Sequence, residues 1–186
     1  MDQNGLQINI IKSSDLTKKQ KQDKSELQKL CFPEIDPQEI QEDFYHPEIA
    51  HAFGYIGRRL VGWAGIHIET TKYEGKKIKL GGFGICTHPN YRKKGIASKL
   101  SSRVINFLKQ SDCDLAFLSI DPKNIASKKL HQKTGFVSLK KQFSWINSQG
   151  EMKEGDGGMI ASLGSAKIFN HVLNGKKPFY ISKGYW

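Results

Sequence analysis

The sequence predicts one mixed α/β domain, built on a mostly antiparallel sheet with a parallel strand pair at its centre and helices packed against it. Three observations carry that reading. Residues 49–88 hold three strand-like runs, IAHAFGYIG, RLVGWAGIHIETTKY and KKIKLGGFGICTH, separated by short turns containing Gly57 and Gly75. Ile96, Leu100, Val104, Ile105 and Leu108 recur at helical spacing. DLAFLSI at 114–120 is a continuous apolar run bounded by polar residues, as in a strand buried on both faces. Helical connections around GGFGICT and DLAFLSI make those two strands the parallel pair.

The elements follow in order. LQINIIK at 6–12 reads as a short strand, and a helix capped by Ser14 or Asp15 runs from there toward Leu30. CFPEIDP breaks the chain, and PQEIQEDFY forms a second helix. After the three strands come a helix from 95 to about 110, the buried strand, and a helix from about 124 to 133 stopped by Gly135. FVSLKKQFSWI at 136–146 reads as one further strand, and the chain from 158 onward as strand, short helix, strand. No repeat, low-complexity stretch or long linker divides it. The expected organisation is a single domain over 1–186, with core motifs in about 6–147 and a C-terminal extension over about 148–186.

Composition narrows the setting. At 186 residues, with 38% hydrophobic and 25% charged residues, the chain has the make-up of a soluble globular domain. It holds no apolar run of membrane-crossing length, and its first residues lack the basic-then-apolar pattern of a signal peptide. Cys31, Cys86 and Cys113 are odd in number and widely spaced, neither a disulfide framework nor a metal cluster. A cytoplasmic location and no metal are expected. The formal net charge of +11 points to an anionic partner: nucleic acid, a membrane surface or a polyanionic small molecule. Nucleic acid is disfavoured, because the lysines are scattered over every segment rather than interleaved with aromatics on one surface.

One cluster is out of place. A helix N-terminus carries positive partial charge and favours carboxylates, yet Arg92, Lys93 and Lys94 stand directly before this one. Just upstream, Gly81, Gly82 and Gly84 lie within a strand, where glycine marks a bulge or a close approach by a ligand or another backbone. Backbone N–H groups at a helix start bind phosphate, and adjacent cations strengthen the site. The arrangement predicts a bound phosphate or pyrophosphate, with something extended along the strand. Neither a P-loop nor a dinucleotide glycine pattern is present.

ICTHPNYRKKGIASKL at 85–100 resembles the acetyl-coenzyme A motif of the GNAT superfamily of N-acetyltransferases. That motif has Arg or Gln, two residues, Gly, one residue, then Gly or Ala. Arg92, Gly95 and Ala97 fill those positions, and Pro89 fills the proline. NIASKKLHQKTGF at 124–136 is similar to the family's second motif, N-x-x-A-x-x-L-Y-x-x-x-G-F, at Asn124, Leu130, Gly135 and Phe136, with Ala126 one position early. The spacing between the motifs accommodates one helix and one buried strand.

The resemblance implies that the central parallel pair is splayed and that acetyl-CoA lies in the gap. Main-chain groups of Ile85, Cys86 and Thr87 would pair with the pantetheine arm. The amides of Lys93, Lys94, Gly95, Ile96, Ala97 and Ser98 would hold the pyrophosphate, with charge from Arg92 and the lysines. Asn124 would contact the cofactor from the opposite wall. An amine would attack the thioester directly in a ternary complex, with a strand N–H near Ile85 to Thr87 steadying the oxyanion. A lysine-like amine has a pKa of about 10.4, so freeing it at neutral pH costs roughly 4 to 5 kcal/mol, whereas the leaving thiol at about 8.5 needs less help. The family's usual tyrosine acid is His131 here, and imidazole can donate a proton. For the base, relatives that acetylate proteins have a glutamate where this chain has Ser119. Asp121, Glu69 and Glu74 are the alternatives, with Glu69 ranked first.

The expected partners are therefore acetyl-CoA and an amine, with a homodimer left open. Phe32, Phe44, Tyr45, Trp63, Trp145, Tyr180, Tyr185 and Trp186 could line an acceptor groove. The terminal Trp186 and the stretch CFPEIDPQEIQEDF give a likeness to the aminoglycoside 2'-N-acetyltransferases. The competing class is a non-catalytic coenzyme A binder or a basic nucleic-acid-binding protein on the same fold.

Overall fold

The computed structural model describes residues 5–33 and 48–184. Its centre is a seven-stranded sheet in the order β1-β2-β3-β4-β5-β9-β6. These strands are β1 (Leu6–Lys12), β2 (Ala50–Ile56), β3 (Arg59–Tyr73), β4 (Lys76–Thr87), β5 (Leu115–Ser119), β6 (Val137–Ser138) and β9 (Gly158–Ser162). Consecutive antiparallel hairpins join β2, β3 and β4, as the turns at Gly57 and Gly75 predict. β4 and β5 run parallel, and the four helices among the described residues pack on the two faces of the sheet. The predicted mixed, mostly antiparallel architecture is the one observed.

α2 (Ile96–Gln110) covers one face, burying Ile96, Leu100, Val104, Ile105 and Leu108, the predicted set, together with Ser101. It presses close, since a Cβ on Gly81 would meet Leu108 side-chain carbons at 2.6 Å. That glycine serves helix packing and not a ligand. α3 (Ile125–Lys133) lies on the same face, where Phe136 joins the cluster of Ala64, Ile66, Phe83 and Leu100.

The other face is shared. α1 (Lys18–Cys31) covers its N-terminal part through Leu27, over Phe53, Leu60, Trp63 and Cys86. A second sheet of β10 (Phe179–Lys183), β7 (Phe143–Ile146) and β8 (Met152–Gly155) covers the rest, with α4 (Ala166–Asn174) beside it. Its core sets Phe143, Trp145, Phe179 and Ile181 on Leu80, Leu115 and Phe117.

Three local expectations change. Ser14 and Asp15 do not cap α1. They bond each other at 2.7 Å within a 3-10 turn, and Thr17 caps instead. Thr17 and Gln20 satisfy each other's backbone N–H groups, a reciprocal pair that needs the three-residue spacing. Residues 136–146 are not one strand: β6 joins β9 in the main sheet, and β7 joins the second sheet. Between them the Lys141 ammonium donates to Tyr73 Oη at 2.6 Å and Gly175 O at 2.9 Å, and to Val172 O. That anchor at the end of α4 draws the chain out of the first sheet. The helix expected at 37–45 and the terminal Tyr185 and Trp186 lie outside the described residues.

Candidate active site

The parallel pair is joined over only three residues, Leu80↔Leu115, Gly81↔Ala116 and Gly82↔Phe117. β4 then continues through Phe83 to Thr87 paired to β3 alone. Among the described residues, backbone groups of β4 that face β5 therefore have no strand partner beyond Gly82. A gap opens between two central strands, and an extended ligand can hydrogen-bond along one wall of it. Ile85 and Thr87, half-buried, and Cys86, buried, lie on that wall.

At the end of the wall the chain makes a 3-10 turn over Pro89–Tyr91 and enters α2. Gly95 is the N-cap at φ 74°, with no side-chain cap, and no acid stands in the first turn. The first intrahelical bond runs from Lys99 N to Gly95 O at 3.1 Å. The N–H groups of Ile96, Ala97 and Ser98 thus emerge from the helix end without intrahelical acceptors. A Cβ on Gly95 would meet nothing within 4 Å. Lys93 also has a left-handed backbone, at φ 61°. Arg92 donates its Nε–H to Thr87 O at 3.4 Å, and Lys94 lies 5.0 Å over the Tyr91 ring. Arg92, Lys93, Lys94 and Gly95 are exposed. The result is an open cradle of amides ringed by cations, suited to a phosphate.

Two of the predicted residues have other commitments. Asn124 caps α3, its Oδ1 accepting from Ser127 N at 3.0 Å, which leaves its NH₂ group for a ligand. His131 is 2% exposed, its ring edge-on to Phe83 and Phe136 at centroid distances of 5.7 and 5.5 Å. Burial holds its pKa down to about 4, so the ring is neutral at physiological pH. Its Nδ1 has no hydrogen-bond partner among the described residues. Phe83 is the first residue of β4 past the last pair with β5, so His131 stands beside the mouth of the gap on the α2 face.

The opposite face carries the carboxylates. Trp63, Gly65, His67 and Glu69 of β3 alternate onto the α1 face, opposite Cys86, Gly84, Gly82 and Leu80 of β4. Gly65, Gly84 and Gly82 put no side chains of their own on this strip between α1 and the second sheet; among the described residues a Cβ on Gly84 would meet nothing within 4 Å, whereas Gly65 lies under Glu48. Glu69 is half-buried at one end of the strip, near enough to Tyr180 to help raise that hydroxyl's pKa after burial itself. Glu74 sits in the β3–β4 turn against His171 at 3.5 Å, about 25 Å along the strand from the gap.

Glu48 gives no sequence signal as a site residue, since an acid before a strand reads as surface. Its Oε1 lies where a Gly65 side chain would stand, and Gly65 pairs with Gly84 at the gap. Its Oε2 is bonded to Lys24 Nζ and lies 3.8 Å from His51 Nδ1. His51 accepts from Trp63 Nε1 at 3.3 Å and contacts Ser13 Oγ at 3.0 Å. Burial first, then the Lys24 charge, brings His51 to about 4. Of the expected aromatic lining, Trp63 and Trp145 are buried, Tyr180 is half-buried and Phe32 is 43% exposed.

A sequence profile of the acetyltransferase (GNAT) family matches residues 21–136. No curated protein matches the chain in sequence. Among solved structures, the ribosomal-protein-S18-alanine N-acetyltransferase of Escherichia coli superimposes with a TM-score of 0.59 at 12% identity, covering 86% of this chain and 96% of that one. A GNAT-family acetyltransferase of Staphylococcus aureus gives 0.57 at 18% identity, over 84% and 99%. A chain of the NatC complex bound to Gag peptide and CoA gives 0.56 at 15% identity, again over 84% and 99%. At these identities the likeness is one of fold.

Proposed function

The chain belongs to the acetyltransferase (GNAT) family, and from that premise we propose that this N-acetyltransferase moves an acetyl group from acetyl-CoA to a primary amine by direct attack in a ternary complex. One observation carries the reading: a strand wall left unpaired beyond Gly82 that ends in an amide cradle ringed by three cations. Its chemistry suits an extended arm bearing a pyrophosphate.

Ile85, Cys86 and Thr87 hold the pantetheine arm through main-chain groups, and a strand N–H among them faces the developing oxyanion. The amides from Lys93 to Ser98 hold the pyrophosphate, with Arg92, Lys93 and Lys94 supplying charge, and Asn124 closes the opposite wall. The amine enters over the glycine strip on the α1 face. Glu48 and Glu69 draw it in as an ammonium, and Glu69 takes its proton, directly or through water. His131 works from the other face. As a neutral ring it supports the departing sulfur by an N–H hydrogen bond, and a thiol of pKa about 8.5 leaves as thiolate without a full proton transfer.

The acidic strip within a basic protein favours a cationic amine, whether a small molecule, an amino sugar or a peptide. The three unpaired cysteines fit a reducing cytoplasm. No helix among the described residues is long and apolar enough to cross a membrane. The test is calorimetric titration with acetyl-CoA, with dephosphorylated CoA as control, followed by thiol release against a panel of amines. One-to-one micromolar binding with amine-dependent thiol release is expected; absence of binding would mean that the cations serve a different anion.

A further inference from the structure

The C-terminal turn of α1 meets the cofactor wall through sulfur. Cys31, the last residue of α1, donates its Sγ–H to Thr87 O at 3.4 Å, the same carbonyl that accepts from Arg92. Across this contact lies the thiol of Cys86, in the cluster that Cys31 packs against and close enough to bring the Cys31 thiol's pKa down. Cys86 belongs to the cluster of Leu27, Phe53 and Trp63, and Cys31 packs against that cluster from above. Two reduced thiols therefore face each other, one half-buried at the surface and one beneath it. The amine reaction proposed above uses neither side chain.

We propose that Cys31 and Cys86 are a redox-active dithiol that accepts low-molecular-weight disulfides, coenzyme A disulfide among them, and that closing it weakens acetyl-CoA binding. The Cys31 thiolate attacks one sulfur of the small disulfide, forming a mixed disulfide and expelling one thiolate. The Cys86 sulfur, having given up its proton, then attacks Cys31, forming the internal disulfide and expelling the second thiolate. Two protein thiols are oxidised by two electrons, and one small disulfide is reduced to two thiols.

The surroundings divide the two roles. The hydrogen bond from Cys86, and then the Arg92 charge against the cost of burial, bring Cys31 down to about 7. The same bond and burial push Cys86 up, so Cys31 attacks first and Cys86 resolves. Cys113 is an internal control, buried on the other face and pushed up to about 11 by burial. The link to the cofactor rests on the function proposed above. Closing the bridge removes the Cys31 bond to Thr87 O and pulls Cys86 toward α1, shifting the strand that pairs with the pantetheine arm.

The experiment treats the reduced full-length protein with coenzyme A disulfide, or with oxidised glutathione, at neutral pH. Intact mass and peptide mapping should show loss of two hydrogens and a Cys31–Cys86 link, with Cys113 unmodified. Cys86→Ser should hold a stable mixed disulfide on Cys31, and Cys31→Ser should not react. The alkylation rate of Cys31 should titrate with a midpoint near 7 and, at pH 7, exceed that of an ordinary thiol about threefold once its lower nucleophilicity is counted. Acetyl-CoA should bind the oxidised protein about tenfold more weakly, the loss of roughly one strand hydrogen bond. No internal link, or a mixed disulfide that persists in the parent protein, overturns the dithiol. A link with unchanged affinity overturns its coupling to the cofactor. If the reduced protein binds no acetyl-CoA, the functional reading fails instead, while the mapping still decides the dithiol.

Discussion

Replacing Gly95 with Ala separates the phosphate cradle from the fold. At φ 74° an L side chain is strained, at a cost of about 1–2 kcal/mol. Reduced freedom of the unfolded chain returns roughly 0.4–1 kcal/mol of that. No packing penalty adds to it, because a Cβ there meets nothing within 4 Å. The net cost is about 1 kcal/mol, or roughly 2–4 °C in Tm for a chain of this size. The methyl group projects into the cradle, however, and displaces phosphate from one or two amides. Charge-assisted hydrogen bonds contribute about 1.5–3 kcal/mol each, so the Kd for acetyl-CoA should rise at least tenfold and toward a thousandfold. Gly57→Ala is the matched control, since Gly57 has φ 58° and equally open space, but lies in the β2–β3 turn. Thermal melting and calorimetric titration of both variants decide the matter. Equal losses of Tm with a large affinity loss only at Gly95 are expected. Unchanged affinity in Gly95→Ala would refute the cradle as the phosphate site.

Other outcomes follow from the same geometry. Glu48→Gln should raise KM for the amine about threefold while leaving acetyl-CoA affinity within twofold, from loss of one partly exposed ion pair in the strip; steady-state kinetics against direct titration separates the two. His131→Ala should lower kcat with little change in acetyl-CoA Kd; a kcat at the parent level would make His131 a packing residue only. Acidification should destabilise the protein. His51 and His131 have folded pKa values of about 4, below the ordinary 6.5, so the unfolded chain binds more protons, and their stabilising contribution is complete above pH 6.5 and lost as pH falls toward 4. Melting temperatures across that window should drop steeply, and His131→Phe should flatten the slope.

Much of this was written locally. The α2 stripe of Ile96, Leu100, Val104, Ile105 and Leu108, the hairpins at Gly57 and Gly75, and the buried run before Ser119 depend on periodicity and turn chemistry, which neighbours in sequence decide. The cations before Gly95 were conspicuous because they oppose a helix dipole whose sign follows from the backbone alone. Only the tertiary structure decided the rest. The period of FVSLKKQFSWI does not reveal that Lys141 anchors at the end of α4 and sends two halves of the run to different sheets. The sequence of β4 does not say where β5 stops pairing with it, since register is a property of two strands. The Glu48–Gly65 and Cys31–Cys86 contacts join residues 17 and 55 positions apart, brought together when α1 and the chain entering β2 pack over β3 and β4 on one face. His131 could be read from its motif position, but its neutrality came from Phe83 and Phe136 closing around it, because the cost of charging a group is set by what surrounds it.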